Sequence, residues 1–172
     1  MKKLLLVFMA ALAISCGNDK KKDEPAKTTI GAPQVEETSS SADAEDSAVA
    51  NVTIEGNDQM KFNKKEIRVK AGQTVRLTLK HVGQMDIAVM GHNWVLVAPG
   101  TDVNKLGADA VDAKDNDYIP EGYDDAIIAH TKMIGGGQSD TIEFQAPEPG
   151  TYDFLCTFPG HVALMQGKFI VE

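Results

Sequence analysis

The chain has 172 residues, of which 42% are hydrophobic, and a formal net charge of −8 at pH 7. This length suits one domain with additional segments, and the apolar fraction is sufficient for a packed core. The negative charge, with no stripe of basic residues, argues against binding to nucleic acid and against attachment to anionic lipids by charge. Cys16 and Cys156 lie in segments of different character, so a disulfide between them is not expected.

The first residues have the pattern of an export signal. Two lysines precede the apolar run Leu4–Ile14, which is too short to span a bilayer comfortably. We therefore predict a signal peptide at residues 1–15. The run ends at Ala13-Ile14-Ser15-Cys16, which resembles the lipobox of bacterial lipoproteins, with alanine at a position where leucine is usual. This predicts lipidation of Cys16. The alternative is ordinary cleavage nearby, which would leave Cys16 a free thiol.

A polar segment follows and continues to residue 50. It consists mainly of Lys, Asp, Glu, Ser, Thr, Ala and Pro, and Ile30 and Val35 are its only large apolar residues before Val49. Such a composition cannot bury enough apolar surface to offset the entropy lost on ordering. We predict that residues 16–50 are the lipidated cysteine and a disordered tether with a reach of roughly 30 Å. Residues 51–172 are predicted to form the head domain.

Strand patterns begin at Asn51 and continue to the C-terminus. In Thr74–Lys80, Val75, Leu77 and Leu79 alternate with polar residues, as on a strand with one buried face. About eight strands are indicated, at Val52–Ile54, Glu66–Lys70, Thr74–Lys80, Ile87–Val97, Ile127–Ile128, Thr141–Phe144, Tyr152–Cys156 and Phe169–Val171. Strands of this kind with Gly and Pro turns predict an all-β Greek-key sandwich of two mostly antiparallel sheets.

The segment Asp102–Asp125 departs from the strand pattern, and we call it the flap. Val103, Leu106, Ala110 and Val111 have rough helical spacing, and acidic residues are frequent around them. We predict a short helical insertion packed on the sandwich. The acids lack the spacing of a calcium-binding loop, so we interpret them as a solvated face.

The residues with metal chemistry concentrate in the loop between the last two predicted strands. Cys156, His161 and Met165 offer a thiol, an imidazole and a thioether, separated by four and then three residues. These types suit copper, whose blue sites take two histidines and one cysteine with a weak axial methionine. Zinc fits less well because a thioether is a poor ligand for it. Each residue alone would more often be a core or surface residue, and their convergence on one loop favours the metal site.

A second histidine must come from elsewhere, and His81, His92 and His130 are the candidates. His92 is favoured because of its neighbours. Gly91 has no Cβ and allows its backbone to approach a metal, and Asn93 can hydrogen-bond to the cysteine loop. His81 and His130 are interpreted as capped or surface histidines.

Four blocks of the sequence resemble the azurins, small blue-copper electron carriers. They are Gly56–Asn63, Met90–Leu96, Ile128–Gly135 and Cys156–Met165. The resemblance covers nearly the whole head domain and implies a cupredoxin-like fold with one copper ion. It implies copper ligation by His92, Cys156 and His161, weak axial ligation by Met165 and the Gly91 carbonyl, and hydrogen-bonding support from Asn93 and Thr157. The sequence departs from the family in having a lipidated, tethered start, no N-terminal disulfide and Val82 in place of the usual proline.

The leading hypothesis is a one-electron carrier without enzymatic activity. Its expected location is the periplasmic face of a bacterial membrane, where the lipid anchors it. Its expected partners are redox proteins such as c-type cytochromes or copper-containing reductases, and its head domain is expected to be monomeric. One alternative is copper storage or delivery through the same ligands. Another is an enzyme that uses Cys156 as a nucleophile with His161.

Electrons are expected to leave through the edge of His161 that faces away from the copper. Apolar or small residues surround this histidine and would form an exposed docking patch suited to weak redox encounters. The loop contributes Phe158, Pro159, Gly160, Ala163 and Leu164 to this patch, and the resemblance adds Met60, Met85, Val89 and Met90.

Overall fold

A computed structural model describes residues 48–172 of the chain. The predicted signal peptide, the lipidation site at Cys16 and nearly all of the tether lie outside the described residues. The first strand begins at Val49, two residues before the expected start of the head domain. Within residues 48–172, the helices are too short and too polar to cross a membrane.

The described residues form a sandwich of two β-sheets with short helices. In chain order the elements are β1 Val49–Asn57, β2 Lys61–Phe62, β3 Glu66–Val69, β4 Thr74–His81, α1 Ile87–Met90, β5 Val95–Val97, α2 Val103–Asp109, β6 Ile127–His130, β7 Ser139–Gln145, β8 Gly150–Leu155 and β9 Gln166–Val171. One sheet has the order β2-β1-β4-β7 and the other β3-β9-β8-β5-β6. The pairs β1–β4 and β3–β9 are parallel, and the remaining pairs are antiparallel. The predicted all-β sandwich with a short helical insertion is confirmed.

Alternation along the strands builds the core between the sheets. Val75, Leu77 and Leu79 of β4 are fully buried, as the period-two pattern predicts. Trp94 lies at the centre of this core, with its ring centroid 5.8 Å from that of Phe154. The core thus depends on residues distributed over both sheets. The candidate site lies at the end of the sandwich where β1, β4 and β8 end, at Asn57, His81 and Leu155.

The apolar run Ile87–Val97 is not one strand, and this prediction was wrong. Ile87–Met90 forms α1, and β5 covers only Val95–Val97. The carboxylate of Asp86 accepts a hydrogen bond from the Ala88 N–H at 2.8 Å and so caps the helix. A continuous apolar run has no alternation that separates a buried strand from a short helix. His92 therefore lies in the irregular stretch between α1 and β5.

The flap is helical, as its spacing predicted. It contains α2 and two short 3-10 helices, Ala110–Asp112 and Lys114–Asn116. Leu106 is fully buried in a cluster with Val95, Val97 and Leu155, whereas Val111 is half-exposed. Because Leu106 packs on β5 and β8, the flap lies directly against two strands next to the candidate site. His92 lies shortly before β5, and Cys156 directly follows β8.

Candidate metal centre

Three side chains of the kinds that bind metals converge at one end of the sandwich. One nitrogen each of His92 and His161 and the sulfur of Cys156 lie within 4.8 Å of one another. Cys156 Sγ lies 3.6 Å from His161 Nδ1. All three residues are buried. The sequence-predicted trio is therefore brought together in the fold, and His130 lies apart from it, exposed on strand β6.

The cysteine loop is closed by its own backbone. The Met165 N–H donates to the His161 carbonyl at 2.8 Å, and the Cys156 N–H donates to the Met165 carbonyl at 2.9 Å. Gly160 has φ 82°, a left-handed conformation that glycine adopts without steric cost and that turns the chain just before His161. The loop thereby brings Met165, which is fully buried, back beside Cys156.

Distant segments hold His92 in place. Its backbone N–H and carbonyl pair with those of Ile134 at 2.9 and 2.8 Å. Its ring stacks on His81, with centroids 4.4 Å apart and planes 15° from parallel. A Cβ added to Gly56 would lie 2.6 Å from His92 Cδ2, so glycine is required there for the imidazole to fit.

The hydrogen bonds of His92 define which nitrogen is available to a metal. His92 Nε2 lies 3.0 Å from the Asn57 carbonyl, and because a carbonyl only accepts, Nε2 carries the proton. The other nitrogen, Nδ1, is buried and has no hydrogen-bond partner among residues 48–172. An unpartnered buried imidazole nitrogen is costly, but this arrangement is the one found in metal-binding histidines. The residues present therefore fit a metal ion.

Burial keeps the side chains of this cluster uncharged when no metal is bound. It lowers the pKa of His92 to about 4, and burial together with the charges of His92 and His81 lowers the pKa of His161 to about 4. Burial raises the pKa of the Cys156 thiol to about 12. A protonated, buried thiol is a poor nucleophile, which argues against the enzyme alternative. A bound cation would favour the thiolate and release the proton.

Asn93 and Thr157 connect the two sides of the site. The Asn93 amide nitrogen donates to the Thr157 hydroxyl at 2.7 Å, and its oxygen accepts from the Thr157 N–H at 2.9 Å. Both residues are fully buried. In addition, the backbone N–H groups of Asn93 and Phe158 hydrogen-bond to the Cys156 sulfur. These contacts link the segment after His92 to the segment after Cys156.

Sequence reasoning missed two features that support the site. His81 is buried, not on the surface, and its Nε2 lies 2.8 Å from the Met90 carbonyl. The carboxylate of Asp58 accepts from the Gln84 and Met85 N–H groups at 2.8 and 3.2 Å. The same carboxylate lies 3.8 Å from Nε2 of His81, the ring that stacks on His92. A polar residue in a turn has no periodic signal, so Asp58 could not have been distinguished from an ordinary turn residue.

The residues of the expected docking patch differ in exposure. Val89, Leu164 and Met85 have exposed fractions of 63%, 49% and 44%. Gly160 and Ala163 are also exposed, whereas Met60, Met90 and Pro159 are half-buried. Phe158 is buried with its ring centroid 4.6 Å from that of His161, and His161 itself is only 2% exposed. Phe158 therefore packs beneath the patch, contrary to its expected place in the exposed surface.

A β-sandwich with a buried His-Cys-His cluster and an adjacent methionine at one end defines a class of metal protein. The model of the copper binding proteins of the plastocyanin/azurin family matches residues 48–172. Because that match covers most of the chain, this protein belongs to the plastocyanin/azurin family of copper binding proteins. It takes a single copper ion as its cofactor.

Individual relatives agree with this assignment. The chain is 42% identical over 130 residues to an azurin of Pseudomonas fluorescens biotype C, covering 73% of this chain and 100% of that protein. It is 47% identical over 120 residues to the outer membrane protein H.8 of Neisseria gonorrhoeae, covering 67% of this chain and 64% of the H.8 protein. The match thus spans less than two thirds of the H.8 protein. Among solved structures, an auracyanin from Roseiflexus castenholzii is similar with a TM-score of 0.63 and 40% identity, over 71% of this chain and 96% of that one.

Proposed function

We propose that this protein is a one-electron carrier whose copper is held by His92 Nδ1, Cys156 Sγ and His161 Nδ1. Met165 and the Gly91 carbonyl are proposed as weak axial ligands. The observation that carries the proposal is the buried Nδ1 of His92, which has no hydrogen-bond partner in residues 48–172 and belongs to the His-Cys-His cluster. When bound, copper supplies one-electron chemistry by cycling between Cu(I) and Cu(II).

The residues around the ligands favour electron transfer over copper delivery. Delivery needs ligands that a receiving protein can reach, but His92 and Cys156 are fully buried and His161 nearly so. The Asn57 carbonyl fixes the ring of His92, and N–H groups from Asn93 and Phe158 hold the sulfur. Fixed ligands keep one geometry in both oxidation states, which favours rapid electron exchange and disfavours release.

Copper titration of the metal-free protein tests the proposed site. We expect one equivalent of Cu(II) to produce an intense thiolate-to-copper absorption band at roughly 600 nm. Cys156→Ser should abolish the band but leave the far-UV circular dichroism of the sandwich intact, since the core comes from other residues. A blue Cys156→Ser variant would contradict the ligand assignment. Rapid transfer of copper to a chelator would instead favour storage or delivery.

We propose the exposed residues near His161 as the docking patch for redox partners. Leu164 and Val89 are large apolar residues with about half or more of their surface exposed, and such surfaces on soluble domains often bind partners. The proposed partners are redox proteins such as c-type cytochromes or copper-containing reductases. Weak encounters of this kind use small interfaces, and the residues of this patch are uncharged. Enzymatic activity is not part of the proposal, because the ligands are buried away from any substrate.

Leu164→Asp tests the patch, with Val49→Asp as its matched control. Val49 is also an exposed apolar residue, at 38%, but it begins β1, whose other end is at Asn57 beside His92. Eight strand residues separate these ends by about 26 Å. Leu164→Asp should leave the copper spectrum unchanged and slow both electron self-exchange and transfer to a c-type cytochrome. If both variants transfer electrons at the wild-type rate, electrons leave elsewhere.

We further propose that residues 1–15 are a signal peptide, that Cys16 is lipidated and that residues 16–50 tether the head domain, residues 51–172, to the periplasmic face of a bacterial membrane. The similarity to the outer membrane protein H.8 supports an outer-membrane location. The head has no basic stripe that would hold it to lipid by charge. Cys16→Ala should therefore release the protein from the membrane fraction. Membrane retention of this variant would overturn the anchor.

A further inference from the structure

The flap contains two consecutive left-handed residues that are not glycine. Asp117 has φ 52° and Tyr118 has φ 58°. Residues with a Cβ adopt this conformation at an energetic cost and persist in it where the surrounding contacts hold them there. The neighbours of these two residues lie around the copper site.

Asp117 forms hydrogen bonds to two segments that lie next to His92 in the fold. Its carboxylate Oδ1 accepts a hydrogen bond from the Met133 N–H at 2.9 Å, and its backbone carbonyl accepts one from Asn93 Nδ2 at 2.9 Å. Asn93 directly follows His92. Met133 directly precedes Ile134, whose backbone pairs with that of His92. One residue of the flap thus hydrogen-bonds two of the segments that position this ligand.

The Asp117 carbonyl is also one of the partners of the Asn93 amide. Asn93 Nδ2 donates to Asp117 and to the Thr157 hydroxyl, and its Oδ1 accepts from the Thr157 N–H. The amide NH2 group has two protons, and both have acceptors only while the Asp117 carbonyl stays in place. Through this amide, the position of Asp117 is coupled to the residue that directly follows Cys156.

Tyr118 reaches the same loop by packing. It is 8% exposed, and its ring centroid lies 5.3 Å from that of Phe158. Phe158 in turn contacts the His161 ring, and its backbone N–H hydrogen-bonds to the Cys156 sulfur. The left-handed pair Asp117–Tyr118 therefore contacts neighbours of all three proposed ligands.

We propose that Asp117 is a positioning residue for electron transfer, through which the flap holds His92 and Cys156 in a fixed relation. This inference rests on the proposed electron-carrier function and assigns a role in it to the flap. Hydrogen bonds one step removed from the ligands keep those ligands in place when the charge of the site changes, and small losses of order in such supports reduce activity. Asp117 has a left-handed backbone, and its carboxylate and its carbonyl accept hydrogen bonds from different segments.

Three substitutions at Asp117 separate its contributions. Asp117→Asn keeps a side-chain oxygen acceptor and tolerates the left-handed conformation. Asp117→Gly keeps the conformation but removes the acceptor, and Asp117→Ala removes both. All three remove the same negative charge, so differences among them do not arise from charge. Asp115→Ala, an exposed acid two residues earlier in the flap, is the control.

The experiment measures reduction potential, the copper EPR spectrum and electron self-exchange of the copper-loaded full chain. We expect Asp117→Ala to shift the potential and the EPR parameters and to slow self-exchange about tenfold. Asp117→Gly should be intermediate, and Asp117→Asn and Asp115→Ala should resemble the wild type. Thermal unfolding of each variant is measured in parallel.

Two results would overturn the inference. One is a lowered melting temperature of Asp117→Ala with unchanged potential, spectrum and self-exchange, which means that the flap only stabilises the fold. The other is a shift of potential and self-exchange that is equally large in Asp117→Asn and Asp117→Ala, which means that charge alone acts. If Asp117→Ala does not fold, Asp117→Gly is compared with Asp117→Asn. A larger change of potential and self-exchange in Asp117→Gly supports the inference, and equal values overturn it. Absence of the blue band in the wild type would instead refute the proposed function.

Discussion

The two sides of the copper site are built differently. Cys156, His161 and Met165 lie within one loop, and backbone hydrogen bonds inside that loop fix their arrangement. His92 depends on segments far away in sequence. Its ring N–H donates a hydrogen bond to the Asn57 carbonyl, and its backbone pairs with that of Ile134. The loop side is therefore specified mainly by contacts within the loop, to which Asn93 adds a long-range pair of hydrogen bonds at Thr157. The His92 side is specified only by the completed fold. Substitutions far from His92 in sequence should disturb the site as much as changes close to the loop.

Gly56→Ala should have the largest effect among changes that leave the ligands intact. The new Cβ would lie 2.6 Å from His92 Cδ2, so the buried ring or the backbone of β1 must move. We expect a loss of about 3 kcal/mol of stability, typical of overpacking at a tight site, together with weaker copper binding. Denaturant unfolding and copper titration measure both. Gly150→Ala is the control, because its nearest atom would be 3.4 Å away. Equal behaviour of the two variants would show that His92 is not held tightly.

Acid should destabilise the metal-free protein through its two site histidines. Folding lowers the pKa of His92 and of His161 from 6.5 to about 4, mainly by burial. As the pH falls, the unfolded state binds protons first, so the stability from these groups is present above about pH 6.5 and lost between about 6.5 and 4. The loss should be about 2 kcal/mol for each histidine after allowance for water near the rings.

Urea unfolding at several pH values measures this loss of stability. Two variants are compared with the wild type: His161→Asn at the site, and His130→Asn at an exposed position. His161→Asn should reduce the acid-induced loss, and His130→Asn should retain it. Bound copper should move the loss to lower pH, because a metal competes with protons for the same nitrogens. Equal pH dependence of all the metal-free proteins would mean that the site histidines are not protected from protons.

The loop side should respond more weakly to loss of an exposed long-range support. Lys65 Nζ donates to the carbonyls of Leu164 and Gln166 at 2.6 and 3.1 Å, on either side of Met165. Because these hydrogen bonds are exposed, we expect Lys65→Met to cost about 1 kcal/mol or less and to change the copper spectrum only slightly. Lys64→Met is the control, because it removes the same charge at the neighbouring exposed lysine. A large spectral change in Lys65→Met alone would mean that the loop is not fixed by its own backbone.

This difference also explains what could be predicted from the sequence. The spacing of Cys156, His161 and Met165 within one loop indicated copper, and the alternation in Thr74–Lys80 indicated a sandwich strand. Both signals are local. The structure of Ile87–Val97 was not predictable from hydrophobicity, because a buried strand and a short capped helix have the same apolar composition.

The supports of His92 could not be predicted for a similar reason. The stacking of His81 on His92, and the close approach of Gly56, arise when β1, β4 and the segment after α1 meet in the fold. Asp117 makes its hydrogen bonds from a left-handed backbone, and the sequence does not indicate this conformation at a non-glycine residue. The candidate ligands were therefore accessible from the sequence, and the contacts that hold them were not.

The most direct test of a one-electron carrier is a spectroelectrochemical titration of the copper-loaded full chain. The absorption band at roughly 600 nm should bleach on reduction and return fully on reoxidation. Its amplitude should follow a one-electron Nernst curve, with about 59 mV for each tenfold change in the ratio of oxidised to reduced protein. Loss of copper on reduction, or a band that does not return, would contradict the account and indicate a protein that binds copper in order to release it.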